Sequence, residues 1–467
     1  MLLADFNEEQ EQRRASLRNR WLSRFWLLFS ILTITLVSVA LYHHYKPIPI
    51  GLDSASQSYI VNEADLVFSL PTDQVTQLDQ LLGYIDSAEQ YILLNTEIFN
   101  NWSSTAVSSA FSQITAKLIA KKTAQPDLKV DLIIDPINLA YGALESKELD
   151  ALKVAGINLI ITDLDQLRDP NPIYSSWWRI FVAWWDFLPN YPWLANPWQS
   201  SGPQITLRAY LASFNFKTNQ RELFIADQAG QLISFFNFNF SSNKLAISLR
   251  GPLAESVYHS QQALAKLSKN SLYSLPSNLV GQASPESNRY AQVEFLTEAG
   301  IKEPLLNRIT ALSAGDTLSL SSRWLADAEL VKALSDSASR SVSIKLLLNH
   351  NDASVLAVTK LLTNAPKSLT VRWSDQALDS LVLIERPADH QLTVFSSASA
   401  LSNQALVYNP SSWLLLTLNT DWTHAAVIKN HFDQLWLTAR PYQSSDQLTW
   451  LKSLWTSFQI WSGLVKL

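Results

Sequence analysis

The chain has 467 residues, 47% hydrophobic and 16% charged, so it can bury a large core and is not a disordered polymer. It contains no cysteine, which excludes disulfides, thiolate metal sites and cysteine nucleophiles. A net charge of -5 argues against a nucleic-acid partner, and with 11 glycines the sequence holds no GxGxxG or GxxxxGK[ST] phosphate loop.

Residues 1–24 are polar and carry Arg13, Arg14, Arg18, Arg20 and Arg24. Residues 25–45 read FWLLFSILTITLVSVALYHHY, the length that crosses a bilayer. Arginines precede this stretch and only Lys46 follows before Lys117, so the N-terminus is expected inside and the bulk of the chain outside. A cleaved signal peptide is the alternative. It fits poorly, because Val39-Ala40 is followed by bulky residues.

Residues 46–62 read as a linker. The first pattern after it places helices over 76–87, 104–121 and 145–155, alternating with the strands QYILLNTEIF, LKVDLIID and INLIITD. It closes on four further strands, ITLRAYLA, ELFIAD, QLISFFNF and LAISLRG. The second pattern alternates the strands AQVEFLT, DTLSLSSRWL, VSIKLLLNH and LTVRWS with helices over 303–313, 326–337 and 353–363. It ends in DSLVLIE, QLTVFSS and WLLLTLNT. Strands alternating with helices of this length predict an α/β fold. The recurrence predicts two repeats, 63–283 and 289–440, meeting near SPESNR, with a tail over 441–467.

In order and motif these stretches resemble the phospholipase D superfamily, and within it bacterial cardiolipin-synthase-like proteins. FNFKTNQRELFIAD (214–227) is similar to the family's first HxKxxxxD segment, and ISFFNFNFSSNKLAISLRG to its Ser/Asn turn and the next strand. Residues 371–385 and TVFSSASAL (393–401) stand at the second motif and turn, and HFDQLW at a closing helix. The resemblance implies two repeats related by a pseudo-twofold. One histidine would attack phosphorus and the other would protonate the leaving group, with an acid orienting a histidine. It also implies an inner-membrane protein whose main domain faces the periplasm.

The motif positions depart from that pattern. Gln220 and Leu378 stand at the two histidine positions, and Glu222 and Ser380 at the two lysine positions. Asp227, Glu385, Asn237 and Ser397 match, and Ser399 replaces a turn asparagine. Gln has no nucleophilic imidazole and Leu no heteroatom. Glu222 also puts a negative charge where a phosphodiester would sit, a repulsion of about 4 kcal/mol for charges about 4 Å apart. The expectation is a catalytically degenerate, membrane-anchored protein that binds phospholipid or a partner protein, a second copy included. The alternative is a working phosphodiesterase with a non-standard site using His350, which ends the strand VSIKLLLNH, or Glu222 with Asp227. No cofactor, metal or nucleic acid is expected.

Two aromatic segments remain. The insert over 174–198 holds six tryptophans, and Trp177, Trp178, Trp184 and Trp185 are candidate membrane contacts. In the tail, Leu451, Leu454, Trp455, Phe458, Trp461 and Val465 recur at intervals of mostly three and four, an amphipathic helix. It either docks on the domain or lies on the bilayer; docking is the expectation, because a tethered protein gains little from a second anchor.

Overall fold

The computed structural model describes residues 2–52, 57–70, 76–102, 106–184, 191–198, 202–227, 232–235, 245–276, 290–363 and 368–462. Helix α1 (Leu2–Tyr45) carries the arginine-bearing segment and the apolar stretch as one rod. Its portion Leu17–Tyr45 is long and apolar enough to cross a membrane, and its apolar window is unburied. The first half then runs β1 (Tyr59–Asn62), β2 (Leu66–Ser69), α2 (Thr76–Ser87), β3 (Tyr91–Thr96), α3 (Ala106–Ala124), β4 (Lys129–Ile134), α4 (Lys147–Val154) and β5 (Asn158–Ile161). An insert bearing α5 (Pro172–Phe181) and α6 (Leu207–Ser213) leads to β6 (Leu223–Ala226), β7 (Leu232–Phe235), β8 (Ala246–Arg250) and α7 (Leu253–Leu267). The second half runs β9 (Tyr290–Thr297), α8 (Ala299–Thr310), β10 (Thr317–Ser322), α9 (Ala328–Ser339), β11 (Ser343–Asn349), α10 (Asp352–Thr363) and β12 (Leu369–Ser374). It closes with β13 (Ser380–Arg386), β14 (Gln391–Ser397), β15 (Ser412–Asn419), α11 (Thr423–Thr438), β16 (Arg440–Pro441) and α12 (Trp450–Ser462).

Among the described residues the strands form two sheets. One has the order β2-β8-β7-β6-β3-β4-β5, the other β1-β9-β15-β14-β13-β10-β11-β12-β16. Without its two edge strands the second sheet repeats the first, strand for strand. In each, three parallel strands (β3, β4, β5 and β10, β11, β12) adjoin an antiparallel run. Strand periodicity sends alternate side chains to different cores. Leu93 and Ile225 join Val293, Val394 and Leu414 in a core shared by both sheets with α7 and α11. Ile92, Leu94 and Phe224 face α2 and α3 on one outer side. Leu320, Leu346 and Phe395 face α8, α9 and α10 on the other.

Two sequence expectations change. ITLRAYLA is a helix, not a strand, because the Thr206 hydroxyl accepts the Ala209 N–H and starts α6 after a single bridged residue, Ile205. The linker contains β1, which pairs with β9 of the second half, Tyr59 opposite Val293, and buries Val61. The Trp-rich helix is short: Asn171 caps it with Pro172 in its first turn, and it ends at Phe181. SPESNR lies outside the described residues, as do Trp185 and Val465.

Candidate functional site

The segment 216–222 enters β6 across the carboxyl ends of β3, β4 and β5, where open α/β sheets hold ligands. Asn219, fully buried, locks it there. Its backbone N–H donates to Asp135 Oδ2 (2.6 Å), and its Nδ2 donates to Asn95 Oδ1 (2.9 Å) and Thr162 Oγ1 (3.1 Å). The second half meets the segment directly. Gln220 N–H donates to Pro410 O (2.7 Å), Ser399 Oγ donates to Gln220 O (3.4 Å), and Asn409 Nδ2 donates to Phe216 O (3.4 Å). The first motif segment and the second turn therefore converge on one place.

Their side chains are disposed differently. Gln220 lines a cavity of about 480 Å³ together with Glu97, Tyr141, Trp198, Tyr210, Phe214, Phe216, Lys217, Thr218, Arg323, Trp455 and others. The Gln220 Oε1 is buried and accepts no hydrogen bond from a described residue. Glu222, also buried, accepts the Glu97 N–H (3.4 Å). Leu378 belongs to the shared core, 2% exposed. Ser380, Ser397 and Ser399 close on one another: Ser380 Oγ lies 2.9 Å from Ser322 Oγ and donates to Ser399 O (2.5 Å). Ser397 Oγ donates to Ser412 O (2.7 Å) and accepts the Ser399 N–H (3.0 Å). The second half thus contributes a sealed hydroxyl network where the resemblance implies a histidine and a lysine. Asn237 lies outside the described residues.

The matching acids sit elsewhere. Asp227 follows the four-residue strand β6, roughly 13 Å beyond its start at 3.3 Å per residue. There it accepts the Glu89 N–H (2.9 Å) and Gln90 N–H (2.5 Å) that lead into β3. Glu385, near the far end of β13, pairs with Lys429 at 2.7 Å. Neither orients a side chain at the cleft; each anchors a strand. His350 is exposed, packs edge-on against Trp373 with ring centroids 5.1 Å apart, and does not line the cavity. Of the candidate membrane contacts, Trp177 and Trp184 are exposed, whereas Trp178 is buried beneath the insert.

The cavity wall is shared between the first motif segment and residues outside both motifs. Phe214, Phe216 and Lys217 come from the FNFK lead-in, Trp198 from the insert, and Trp455 with Gln459 from α12. Glu97 accepts the Thr218 Oγ hydrogen bond at 3.0 Å. Asp135 lies behind it, completely buried, and accepts the N–H groups of Asn219 and Ile137. Burial pushes the Asp135 carboxyl up to about 7, with Glu97 adding to the rise, against those two hydrogen bonds.

A carboxyl raised in the folded state contributes stability below its unfolded pKa and loses it as pH rises through the folded value. For Asp135 the window runs from about 4 to about 7. Melts of wild type and Asp135→Asn across that window should show the wild type losing ground to the variant as pH rises. At 1.36 kcal/mol per pH unit the relative change is about 4 kcal/mol at most. Parallel curves would mean that Asp135 does not titrate in this range.

No protein-family model matches the sequence, and no curated protein sequence matches it. Among solved structures, the chain is similar to the phosphatidylserine synthase of Haemophilus influenzae Rd KW20. The identity is 12%, over 86% of this chain and 94% of that one, with a TM-score of 0.54. It is also similar to the phospholipase D family member Nuc of Salmonella typhimurium, at 15% identity over 33% and 99% of the two chains, TM-score 0.29. Polyphosphate kinase of Porphyromonas gingivalis matches at 11% identity over 84% and 49%, TM-score 0.45. The likeness to the phosphatidylserine synthase shows a shared fold.

Proposed function

We propose that this phospholipase D-fold chain is held in a membrane by α1 and binds a phospholipid in its cleft without turning it over. One observation carries the reading. Where the two motif segments meet, the described cavity wall offers no histidine, while an aromatic-walled space of about 480 Å³ persists. A phosphohistidine mechanism needs an imidazole on each side of phosphorus. Here Gln220 occupies one position and Leu378 has withdrawn into the core on the other. Tyr141, Trp198, Tyr210 and Phe214 supply apolar faces for glycerol and acyl carbons, and Arg323 supplies a cation at the wall. The arginines before residue 25 favour an inside N-terminus, with the cleft on the outer side. Trp177 and Trp184 then rest at head-group level beside α1.

The test is turnover of phosphatidylglycerol and cardiolipin by the full-length protein in detergent, beside Gln220→Ala/Glu222→Ala, with co-purifying lipid counted by mass spectrometry. The expected result is no turnover by either protein, and bound phospholipid that Trp198→Ala/Phe214→Ala lowers several-fold. Turnover abolished by Gln220→Ala/Glu222→Ala would establish a working enzyme with altered chemistry. A lipid-free preparation would remove the binding half of the proposal.

A further inference from the structure

Helix α12 sits on the domain the wrong way round for a soluble protein. Its inward side is polar: Thr456 is buried, and Lys452, one turn before it, pairs with Asp352 of α10 at 2.8 Å. Its apolar stripe faces outward. Leu451, Leu454, Phe458 and Trp461, spaced 3, 4 and 3 apart, are 71%, 51%, 43% and 74% exposed. An amphipathic helix docked for core packing would present the opposite face. Exposed apolar surface of this kind marks a binding surface.

The position of the helix identifies what covers it. A groove of about 400 Å³ lies between its last turn (Ile460, Trp461, Ser462) and Val37, Ala40 and Leu41 of α1. Those three α1 residues fall inside the apolar stretch that ends at Tyr45. At 1.5 Å per residue, Val37 is roughly 12 Å below that end. A side chain that meets Val37–Leu41 across a groove is therefore at the level of the outer leaflet. The sole basic residue in the described helix, Lys452, is already paired with Asp352, so apolar transfer rather than attraction to anionic head groups would hold it.

We propose that α12 is an interfacial helix, with the Leu451, Leu454, Phe458 and Trp461 stripe seated in the outer leaflet of the bilayer that α1 crosses. The inference rests on the reading of α1 as a membrane span. Because Trp455 and Gln459 of the same helix line the cleft, the cavity and the bilayer then share a wall.

The natural absence of cysteine makes the test direct. Single-cysteine variants of the full chain, Leu454→Cys, Phe458→Cys and Trp461→Cys, are spin-labelled in vesicles of phosphatidylethanolamine and phosphatidylglycerol. Ile31→Cys in α1 and Asp150→Cys on the far surface serve as references. Collisions with apolar oxygen and with a water-soluble nickel complex report the surroundings. The three α12 labels should match Ile31→Cys, with a nickel-to-oxygen ratio about tenfold below that of Asp150→Cys. Transfer of one large apolar side chain sets an in/out ratio of about that order. Aqueous α12 labels beside a lipid-exposed Ile31 label would overturn this inference alone. Labels shielded from both reagents would replace the bilayer by a protein cover, and an aqueous Ile31 label would overturn the membrane reading together with it.

Discussion

Arg221→Met should destabilise the folded protein by about 3–5 kcal/mol, the cost of leaving a buried charge without its partner. Arg221 lies between Gln220 and Glu222, and strand alternation turns its side chain away from the cleft. It is fully buried there. Its guanidinium donates to Glu298 Oε1 (2.6 Å), to Ser260 O (2.9 Å) and to Leu52 O (3.3 Å). One residue thereby joins the segment after α1, helix α7 of the first half and the β9–α8 junction of the second. Arg221→Met takes the guanidinium away from Glu298, itself 2% exposed. Arg221→Met/Glu298→Leu removes both charges and should recover most of the loss, since a buried pair is often matched by apolar residues of similar volume. Thermal melts of the three full-length proteins in detergent decide it. A double variant no more stable than Arg221→Met would mean that the hydrogen bonds to Ser260 and Leu52, not the ion pair, carry the position.

The sequence made the repeated topology legible because its strands are long apolar runs separated by amphipathic helices; β3, β4 and β11 stand where hydrophobic periodicity puts them. It misread ITLRAYLA because β-branched and aromatic residues favour a strand, while a single hydroxyl cap decided for a helix. Strand β1 was hidden in a polar linker, since four residues with one buried valine carry almost no periodic signal; only β9 gives them a partner. The motif positions were legible one at a time, and Gln220 and Ser399 do come together across the two halves. That Asp227 and Glu385 serve strand ends was not, because a matching residue in a motif says nothing about which backbone groups it meets. The cavity wall was least legible. Trp198 and Trp455 are 257 residues apart in the chain and line the same space. Within the tail, the apolar period was visible, but the face that packs inward is the one bearing Lys452 and Thr456. Which face a helix buries depends on what lies beside it, here on α10, about a hundred residues earlier in the chain.

Asp169→Asn should cost a similar 3–5 kcal/mol near pH 7, and with a dependence on pH that packing loss alone would not give. Asp169 is completely buried and receives Lys217 Nζ at 2.5 Å and Arg179 at 2.8 and 2.9 Å. Burial pushes its carboxyl up, but the Arg179 hydrogen bond and the charge on Lys217 outweigh that and hold it below its usual range. Its contribution is therefore present above the unfolded carboxylate value and is lost only as pH falls below about 4. Burial pushes the Lys217 ammonium down to about 8, against the pull of Asp169. Without Asp169 that value falls further, and Lys217 gives up its proton near neutral pH. The variant should therefore gain stability with rising pH over a wider range than the wild type. The gap between the two should be widest from about pH 4 to near neutrality, narrow below that range, and narrow again as pH rises towards about 8; a gap constant with pH would assign the loss to packing. The site matters beyond stability because Asp169 also receives the anchor. Its N–H donates to His43 O (3.0 Å), and its carbonyl accepts from His44 Nδ1 (2.9 Å). The other ring nitrogen of His44 then accepts from Tyr408 of the second half, at 2.9 Å. Lys217 lines the cleft. The Tyr45 end of α1, held by the backbone of Asp169, and the Trp-rich insert and cavity wall, held by its carboxylate through Arg179 and Lys217, thus meet at one residue.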